Sequence, residues 1–415
     1  GDLGWQSGPS ALGIPANREP GAEDASLAAV LNPGGFFSMQ RFTDQPLREH
    51  PHIAVFSSSK VGNFVVTIPL LRGLKEKYPG CVLDFFGSEI THDFEVHCPY
   101  IDFSFPLYSR RPDYLETLTT AVRERVAQAG PYDLAVNCDE FSELNLVAVT
   151  ALRPHYIAGA GLTLDFRRKL EAGSDPVQRM LQDDDWNSLE FLERYRDLLT
   201  SNYIAEIFCR LAYVETDFFR LELPSREPNF AVPEVLVHIT TTRRAKMWRL
   251  DYWKQVIEWC EQQGFQVGLI GSAPEVQRAL YHAGSSEEDL LAQTKMIDLR
   301  GKTSLIELAG ALKRAKVCIS VDAGPMHIAA AVGCPTIALF GNDAEGDGAS
   351  PVRLWAPRMA HVYVTQTTYK CRVCLEHKFK NEACLVEGHP CMAHLTPETV
   401  IGYLQQILSG SRPTD

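Results

Sequence analysis

The stretch Val317–Gly341, VCISVDAGPMHIAAAVGCPTIALFG, restricts the fold of this chain more than any other. Val317 to Val321 is an apolar, β-rich run, and Asp322, Ala323, Gly324 and Pro325 interrupt it with turn chemistry. Met326 to Val332 is alanine-rich and helical in propensity. Gly333 stops that helix, and Pro335 to Phe340 is a second buried run. Strand, loop, helix and strand at this spacing form a parallel crossover, and such sheets bind ligands at the carboxyl edge of their strands. The loop delivers Asp322, Gly324 and His327 to the helix start. Backbone N–H groups and the helix dipole at such a start favour a phosphate. Ala329, Ala330 and Ala331 let the helix lie close to the sheet.

At 415 residues the chain exceeds one typical core, so two domains are expected. A content of 45% hydrophobic and 22% charged residues is that of a globular, soluble chain. No apolar run nears the roughly 20 residues of a membrane span, and no secretory signal is read, so a cytoplasmic protein without a transmembrane segment is expected. The net charge of -12 argues against a nucleic-acid partner, whose binding rests on phosphate neutralisation. Seven of the 11 cysteines are scattered, several inside apolar runs, and read as buried free thiols in a reducing compartment.

Residues 1–51 are rich in glycine, proline and alanine without sustained periodicity, and are expected to form a flexible N-terminal arm. A first α/β domain is expected over 52–225. It opens with a strand at Ile53–Phe56, the small-residue loop Ser57–Asn63 and a helix at about Phe64–Tyr78. Further strands are read at Cys81–Phe86, Asp102–Pro106 and Asp133–Asn137, with helices at Asp113–Ala129 and over Asn187–Val214. Pro224 to Pro233 is proline-punctuated and reads as a linker. A second domain over 233–409 repeats the alternation. It has strands at Val235–Ile239 and Phe265–Ile270, helices at Asp251–Gln263 and Glu275–Ala283, and a capping box of Ser304 and Glu307. Two doubly wound sheets then face each other across a ligand cleft.

Three stretches together carry a family resemblance. Asp322-Ala-Gly-Pro-Met-His327 with Pro335, Phe340 and Gly341 resembles the signature of glycosyltransferase family 9, the bacterial heptosyltransferases. The loop Ser57 to Asn63, with Pro69 to Gly80, is similar to that family's opening unit. His238-Ile-Thr240-Thr241-Thr-Arg-Arg-Ala-Lys246-Met-Trp248 is similar to its donor-phosphate loop. The resemblance implies a GT-B fold, two Rossmann-like domains around a cleft. It also implies inverting transfer of a sugar, often heptose, from a nucleoside diphosphate such as ADP-heptose to an acceptor protein or glycan, without a catalytic metal.

On that reading the donor is held by Thr240, Thr241, Lys246, Asp322, Ala323, Gly324, Pro325, Met326 and His327. Departure of a diphosphate builds negative charge, and a preorganised cation and N–H groups lower that barrier. Each residue also has a plain reading. Lys246 is equally a solvated surface lysine, Asp322 a helix cap, and His327 a histidine bonded to a backbone carbonyl. The departure that matters is Asn63. Family members usually carry Gly-Asp in this loop, with the aspartate as proposed base, where this chain has Gly62-Asn63. An amide accepts no proton at neutral pH. Asp139 and Glu140, after a predicted strand, are the substitute carboxylates. A dissociative transition state that needs little base would also account for the amide, and so would loss of transfer chemistry. A nucleotide-sugar epimerase of the same architecture fits the quoted stretches less well.

Cys371, Cys374, Cys384 and Cys391 form a C-x₂-C-x₉-C-x₆-C array, the small Cys-rich loop of 371–391. Four thiols in so short and polar a segment indicate a structural metal, zinc or iron, over disulfides or free thiols. His377, His389 and His394 are alternative ligands. The resemblance adds that relatives modifying autotransporter proteins use an iron-bound cysteine finger in assembly, so a projecting loop here would be a homo-oligomer contact. Loss of the metal is expected to lower stability or assembly and to leave donor affinity largely intact.

Overall fold

The computed structural model describes residues 32–139, 141–276 and 286–410. Twelve strands form two six-stranded sheets among these residues. The first sheet comprises β1 (Gln40–Arg41), β2 (His52–Phe56), β3 (Val82–Ser88), β4 (Phe103–Tyr108), β5 (Leu134–Asn137) and β6 (Tyr156–Gly159). The second comprises β7 (Val235–His238), β8 (Val267–Leu269), β9 (Ile297–Asp298), β10 (Val317–Val321), β11 (Thr336–Asn342) and β12 (Val362–Gln366). The orders are β1-β6-β5-β2-β3-β4 and β12-β11-β10-β7-β8-β9. All pairings between these strands are parallel. Parallel strands buried on both faces demand continuous apolar runs; β2, β7 and β10 are buried throughout.

In each sheet the order reverses once, between β2 and β5 and between β7 and β10. A crevice opens outside the strand ends at such a point. The helices that matter for it are α1 (Val61–Lys77), α2 (His92–His97), α3 (Tyr114–Ala129), α4 (Glu143–Ala151), α5 (Pro176–Leu181), α6 (Leu189–Arg194) and α7 (Ile204–Leu211) in the first half. The second half has α8 (Leu250–Gln262), α9 (Ser286–Gln293), α10 (Leu305–Arg314), α11 (Gly324–Ala331), α12 (Val352–Trp355), α13 (Val373–Glu376), α14 (Pro390–Ala393) and α15 (Pro397–Leu408). None of the described helices is long and apolar enough to cross a membrane.

The halves share a core. Val65 and Leu70 of α1 lie in one buried cluster with Ile328, Ala329 and Ala330 of α11 and Leu308 and Ala311 of α10. The helix starts nearly touch. A Cβ added at Gly324 would sit 3.2 Å from Val61 Cβ, and one at Gly62 would sit 3.0 Å from the His327 ring. A second tie joins α2 to α10, where the Ile306 amide donates to Asp93 Oδ2 at 2.9 Å.

Three expectations are corrected. The loose arm does not extend to Pro51. Residues 1–31 lie outside the described residues, but β1 pairs with β6 and Phe42 is fully buried in the first core. Arg153 fixes the approach to β1, donating to the carbonyls of Phe36 and Asn32 at 3.0 and 3.1 Å. The single helix expected over Asn187–Val214 is two, α6 and α7. Its heptad-like pattern is real, but Thr200, Ser201 and Asn202 break it with competing hydrogen bonds. The Thr200 amide and Ser201 hydroxyl donate to the buried Glu206 carboxylate at 2.7 and 3.0 Å. Asn202 Nδ2 donates to the carbonyls of Trp186 and Ser188. Finally, α1 begins at Val61, so Gly62 and Asn63 belong to its first turn and not to a loop. Most of the helix expected at Glu275–Ala283 lies outside the described residues.

Candidate functional site

The two carboxyl edges enclose a cavity of about 520 Å³. Ser59 to Asn63 close it from the first half, and the loops after β7, β8, β9 and β10 from the second. Of the residues expected to hold a donor, Thr241, Lys246, Asp322, Ala323, Gly324, Pro325 and His327 line it.

Lys246 is no solvated surface lysine. It ends a short 3-10 turn, Arg244–Lys246, and its side chain is 17% exposed. Its Nζ donates to the Asp322 carbonyl at 2.9 Å and to Asp322 Oδ2 at 3.2 Å. Asp322 caps nothing: the N-cap of α11 is Ala323, without a side-chain cap bond. Its carboxylate orients the lysine instead. His327 is buried, with Nδ1 lacking any hydrogen-bond partner and Nε2 4.0 Å from Asp322 Oδ1. The ring meets Trp355 edge to face at 5.8 Å. Burial lowers the His327 pKa to about 4, against the raising effect of Asp322. His238, which also lines the cavity, is lowered to about 4 by burial while its Nδ1 faces the Ile270 carbonyl at 3.2 Å. Both imidazoles are therefore neutral at pH 7.

Two expected donor contacts are displaced. Thr240, two residues past the end of β7, is fully buried with its hydroxyl unpartnered and does not line the cavity. Met326 points into a core patch with Ala338 and Phe340, since it sits on the sheet-facing side of α11. Sequence reasoning missed Arg243, Ser304, Trp355 and Phe379, all of which line the cavity. Arg243 was visible inside the quoted donor loop, and Ser304 in its capping box. The capping box is present, with Ser304 Oγ accepting from the Glu307 amide and the Glu307 carboxylate accepting from the Ser304 amide. Trp355 and Phe379 had no local signal.

A second cavity of about 340 Å³ opens at the switch point of the first sheet. Lys60, Asn63 and Trp355 line both cavities. Its other walls include Asp139, Asn137, Phe141, Trp186 and Phe208. Asp139 follows β5, next to β2 in the sheet. Its amide donates to Asn137 Oδ1 at 3.1 Å, and its own Oδ1 accepts from the Phe141 amide at 3.1 Å. Glu140 lies outside the described residues. Asn63 thus stands at the junction, and Asp139 is the described carboxylate of the smaller chamber.

Cys371, Cys374, Cys384 and Cys391 are free thiols. The Cys391 thiol is pushed up to about 12, first by burial and then by the charges of Cys384, Cys374 and Cys371. Cys384, Cys374 and Cys371 thus lie near enough to Cys391 to act on it electrostatically. They do not reach metal-site spacing. Among the described residues the one set of His, Cys, Asp or Glu ligand atoms within 4.8 Å of one another is Asp343, Glu345 and Asp347. Lys370, Arg353 and Arg372 face those acids at 3.2, 3.8 and 3.7 Å. Of the alternative ligands, His377 and His394 use Nδ1 on carbonyls of their own turns, and His389 uses Nε2 on the Ala245 carbonyl at 2.8 Å.

Comparison with known proteins bears on the family and the fold. The family model described as Glycosyltransferase family 9 (heptosyltransferase) matches residues 171–380. Lipopolysaccharide heptosyltransferase 1 of Pseudomonas aeruginosa is 25% identical over 356 residues, spanning 81% of this chain and 94% of that protein. A family 9 glycosyl transferase from Veillonella parvula superimposes with a TM-score of 0.63 at 18% identity, covering 89% of this chain and 100% of that one. The dodecameric iron-containing heptosyltransferase TibC of enterotoxigenic E. coli, solved with ADP-D-beta-D-heptose, gives a TM-score of 0.51 at 15% identity, covering 88% and 78%. These similarities identify the fold as the two-domain GT-B arrangement.

The two buried imidazoles carry a stability signature. The unfolded chain protonates them near the ordinary 6.5, whereas the folded chain resists until about 4. Stability is therefore complete above pH 6.5 and is lost as pH falls towards 4. Thermal unfolding at stepped pH should show that loss, about 1–3 kcal/mol per histidine. His327→Gln should flatten part of it. An unchanged pH slope in the variant would remove His327 from the account.

Proposed function

The chain belongs to glycosyltransferase family 9, and from that premise we propose that it transfers a sugar, heptose first among candidates, from a nucleoside diphosphate to an acceptor hydroxyl with inversion. One observation carries the reading. The larger cavity brings Lys246, Arg243, Thr241 and the start of α11 to a single wall, the set that a departing diphosphate requires. The ADP-heptose bound to TibC supports the choice of donor.

The chemistry follows from the two chambers. The nucleoside diphosphate occupies the larger one, with its phosphates against Lys246 and the α11 amides. The acceptor occupies the smaller one, and its hydroxyl oxygen attacks the anomeric carbon at the seam beside Asn63. The bond from that carbon to the diphosphate oxygen breaks, and its electron pair leaves with the phosphate. Attack from the side opposite the leaving group inverts the centre. The acceptor proton passes to Asp139, the carboxylate lining the acceptor chamber. Asn63 hydrogen-bonds the acceptor in place of the family's usual aspartate. Neutral His327 adds no charge to a pyrophosphate already faced by two cations.

A structural metal in the Cys371, Cys374, Cys384 and Cys391 segment belongs to the same reading, with zinc or iron as the ion. Four soft thiolate donors fit either metal. An ion held by these residues would keep the four sulfurs as thiolates and tie the segment together. The iron of TibC supports this assignment, and its dodecamer supports self-association of the present chain. The segment's work is structural, with the transfer steps left to the cavity residues.

The second reading, a donor-binding protein without transfer, rests on Asn63 alone. Both readings require the donor site, and they separate on turnover. Lys246→Ala should weaken ADP binding by about 1–3 kcal/mol in calorimetry, the value of a lost charge-assisted bond; unchanged affinity takes Lys246 out of the site. Asp139→Asn should cut ADP release from ADP-heptose, across a panel of glycan and peptide acceptors, by roughly 10²- to 10⁴-fold with ADP affinity retained. Wild-type binding with no turnover on any acceptor, and turnover appearing in Asn63→Asp, would establish the non-transferring reading instead. Metal analysis of anaerobically purified protein should give about one zinc or iron per chain; metal-free protein with four titratable thiols would end that assignment.

A further inference from the structure

The Cys-rich segment does more than hang from the second domain. It grips the donor loop from both sides. The Ala245 amide donates to the Glu382 carbonyl at 2.8 Å, and the Ala245 carbonyl accepts from His389 Nε2 at 2.8 Å. Ala245 is buried and immediately precedes Lys246. Arg243, on the other side, donates through Nε to the Asn381 carbonyl at 2.7 Å and through Nη2 to Asn381 Oδ1 at 3.1 Å. Asn381 Nδ2 then donates to Cys374 Sγ at 3.3 Å. A continuous path of hydrogen bonds therefore runs from a thiol of the cluster to a cavity cation, through a side chain that lines neither cavity.

The backbone of the segment bears the marks of a built element. Lys378, Phe379 and His389 have φ of 51°, 56° and 47°, the left-handed region that non-glycine residues avoid. Such conformations are costly and persist where tertiary contacts over-determine them. Two of the three make the contacts in question. Phe379 lines the cavity under the Arg243 guanidinium, 5.7 Å from ring centre to Cζ, and His389 holds Ala245. Lys378 reaches across the cleft to Asp184 of the first half.

We propose that residues 374–389 are a positioning element of the donor site, which sets the direction of Arg243 and Lys246 toward the diphosphate and so makes donor affinity depend on the state of the thiol cluster. The inference rests on the donor reading above. It departs from the expectation that the Cys segment is indifferent to the donor. Asn381 and His389 act through their neighbours and touch no substrate; they are positioning residues. Metal loading or metal loss at Cys374 displaces Asn381, and the displacement arrives at Arg243.

The test uses the full chain as purified, with ADP and UDP as probes in calorimetry and KM and kcat on ADP-heptose. Asn381→Ala removes the bonds to Arg243 Nη2 and Cys374 together, without touching a thiol or the cavity wall. It should raise the ADP dissociation constant and the donor KM roughly 3- to 10-fold, with kcat at saturating donor near wild type. Asn381→Asp keeps an acceptor for Arg243 but loses the donor to Cys374, so it should recover only part of the affinity; full recovery would overturn the dependence on the thiol cluster. His389→Ala should act alike and His389→Gln should rescue it, so a poorly folded Asn381 variant does not spare the idea. In a double-mutant cycle with Lys246→Ala the losses should be less than additive. Wild-type binding of ADP with unchanged affinity in both alanine variants overturns this inference alone. Failure of the wild type to bind either nucleotide overturns the donor reading and this inference with it.

Discussion

The site exists because two helix starts approach within van der Waals contact. α1 follows the central strand of the first sheet and α11 follows the strand beside the centre of the second. Their first turns meet through Gly62 and Gly324, each with no room for a side chain without displacing its neighbour. The contact brings the carboxyl edges of the two sheets within reach of one small molecule. It also aligns two helix dipoles whose positive ends face the same space. A methyl at either glycine would press on His327 or Val61, and that neighbour would have to give by a few tenths of an ångström. Everything chemical in the molecule is arranged around that meeting point.

Within the cavity, charge is held ready and not left free. A cation buried alone is costly, and Lys246 avoids that cost by pairing with Asp322. The pairing does not exhaust it. An ammonium has three donors, and Asp322 takes two through its carbonyl and carboxylate. The third remains for a phosphate oxygen, so the ligand need not break the ion pair to bind. Arg243 is similar: three of its donors serve Asn381 and Ala349, which fixes the plane of the guanidinium while two donors remain. Groups oriented beforehand lose little on binding and stay aimed as charge develops on the leaving oxygen.

Much of this was legible in the order of residues. The run Val317–Gly341 announced its crossover because a parallel strand is apolar on both faces and its helix is small-sided. Asp322 to His327 were legible as turn chemistry at a helix start, whereas the donor loop was reached through its family resemblance. What escaped was set by distance in the chain. Trp355, the last residue of α12, and Phe379, in the loop after α13, enter the cavity from segments whose local sequence carries no such message. The edge strand β1 was unreadable because two paired residues leave no periodicity. The break between α6 and α7 was hidden by an apolar pattern that continues across it, while the deciding interaction is one buried carboxylate, Glu206, collecting donors from the residues just before its helix.

Asp139 as the proposed base, in place of a residue of the α1 turn, is consistent with the order of strands in the first sheet. β2 and β5 are hydrogen-bonded neighbours on either side of the switch point, so the loops after them open onto the same chamber. A carboxylate after β5 can therefore serve an acceptor that another family member serves from the residue after β2. The exchange has a consequence for charge. On the proposed reading, an amide at position 63, where both cavities meet, keeps a further carboxylate away from the diphosphate, while Asp322 is already paired with Lys246. The proposed base, Asp139, lines the smaller cavity alone, so base and leaving group would stand in different chambers.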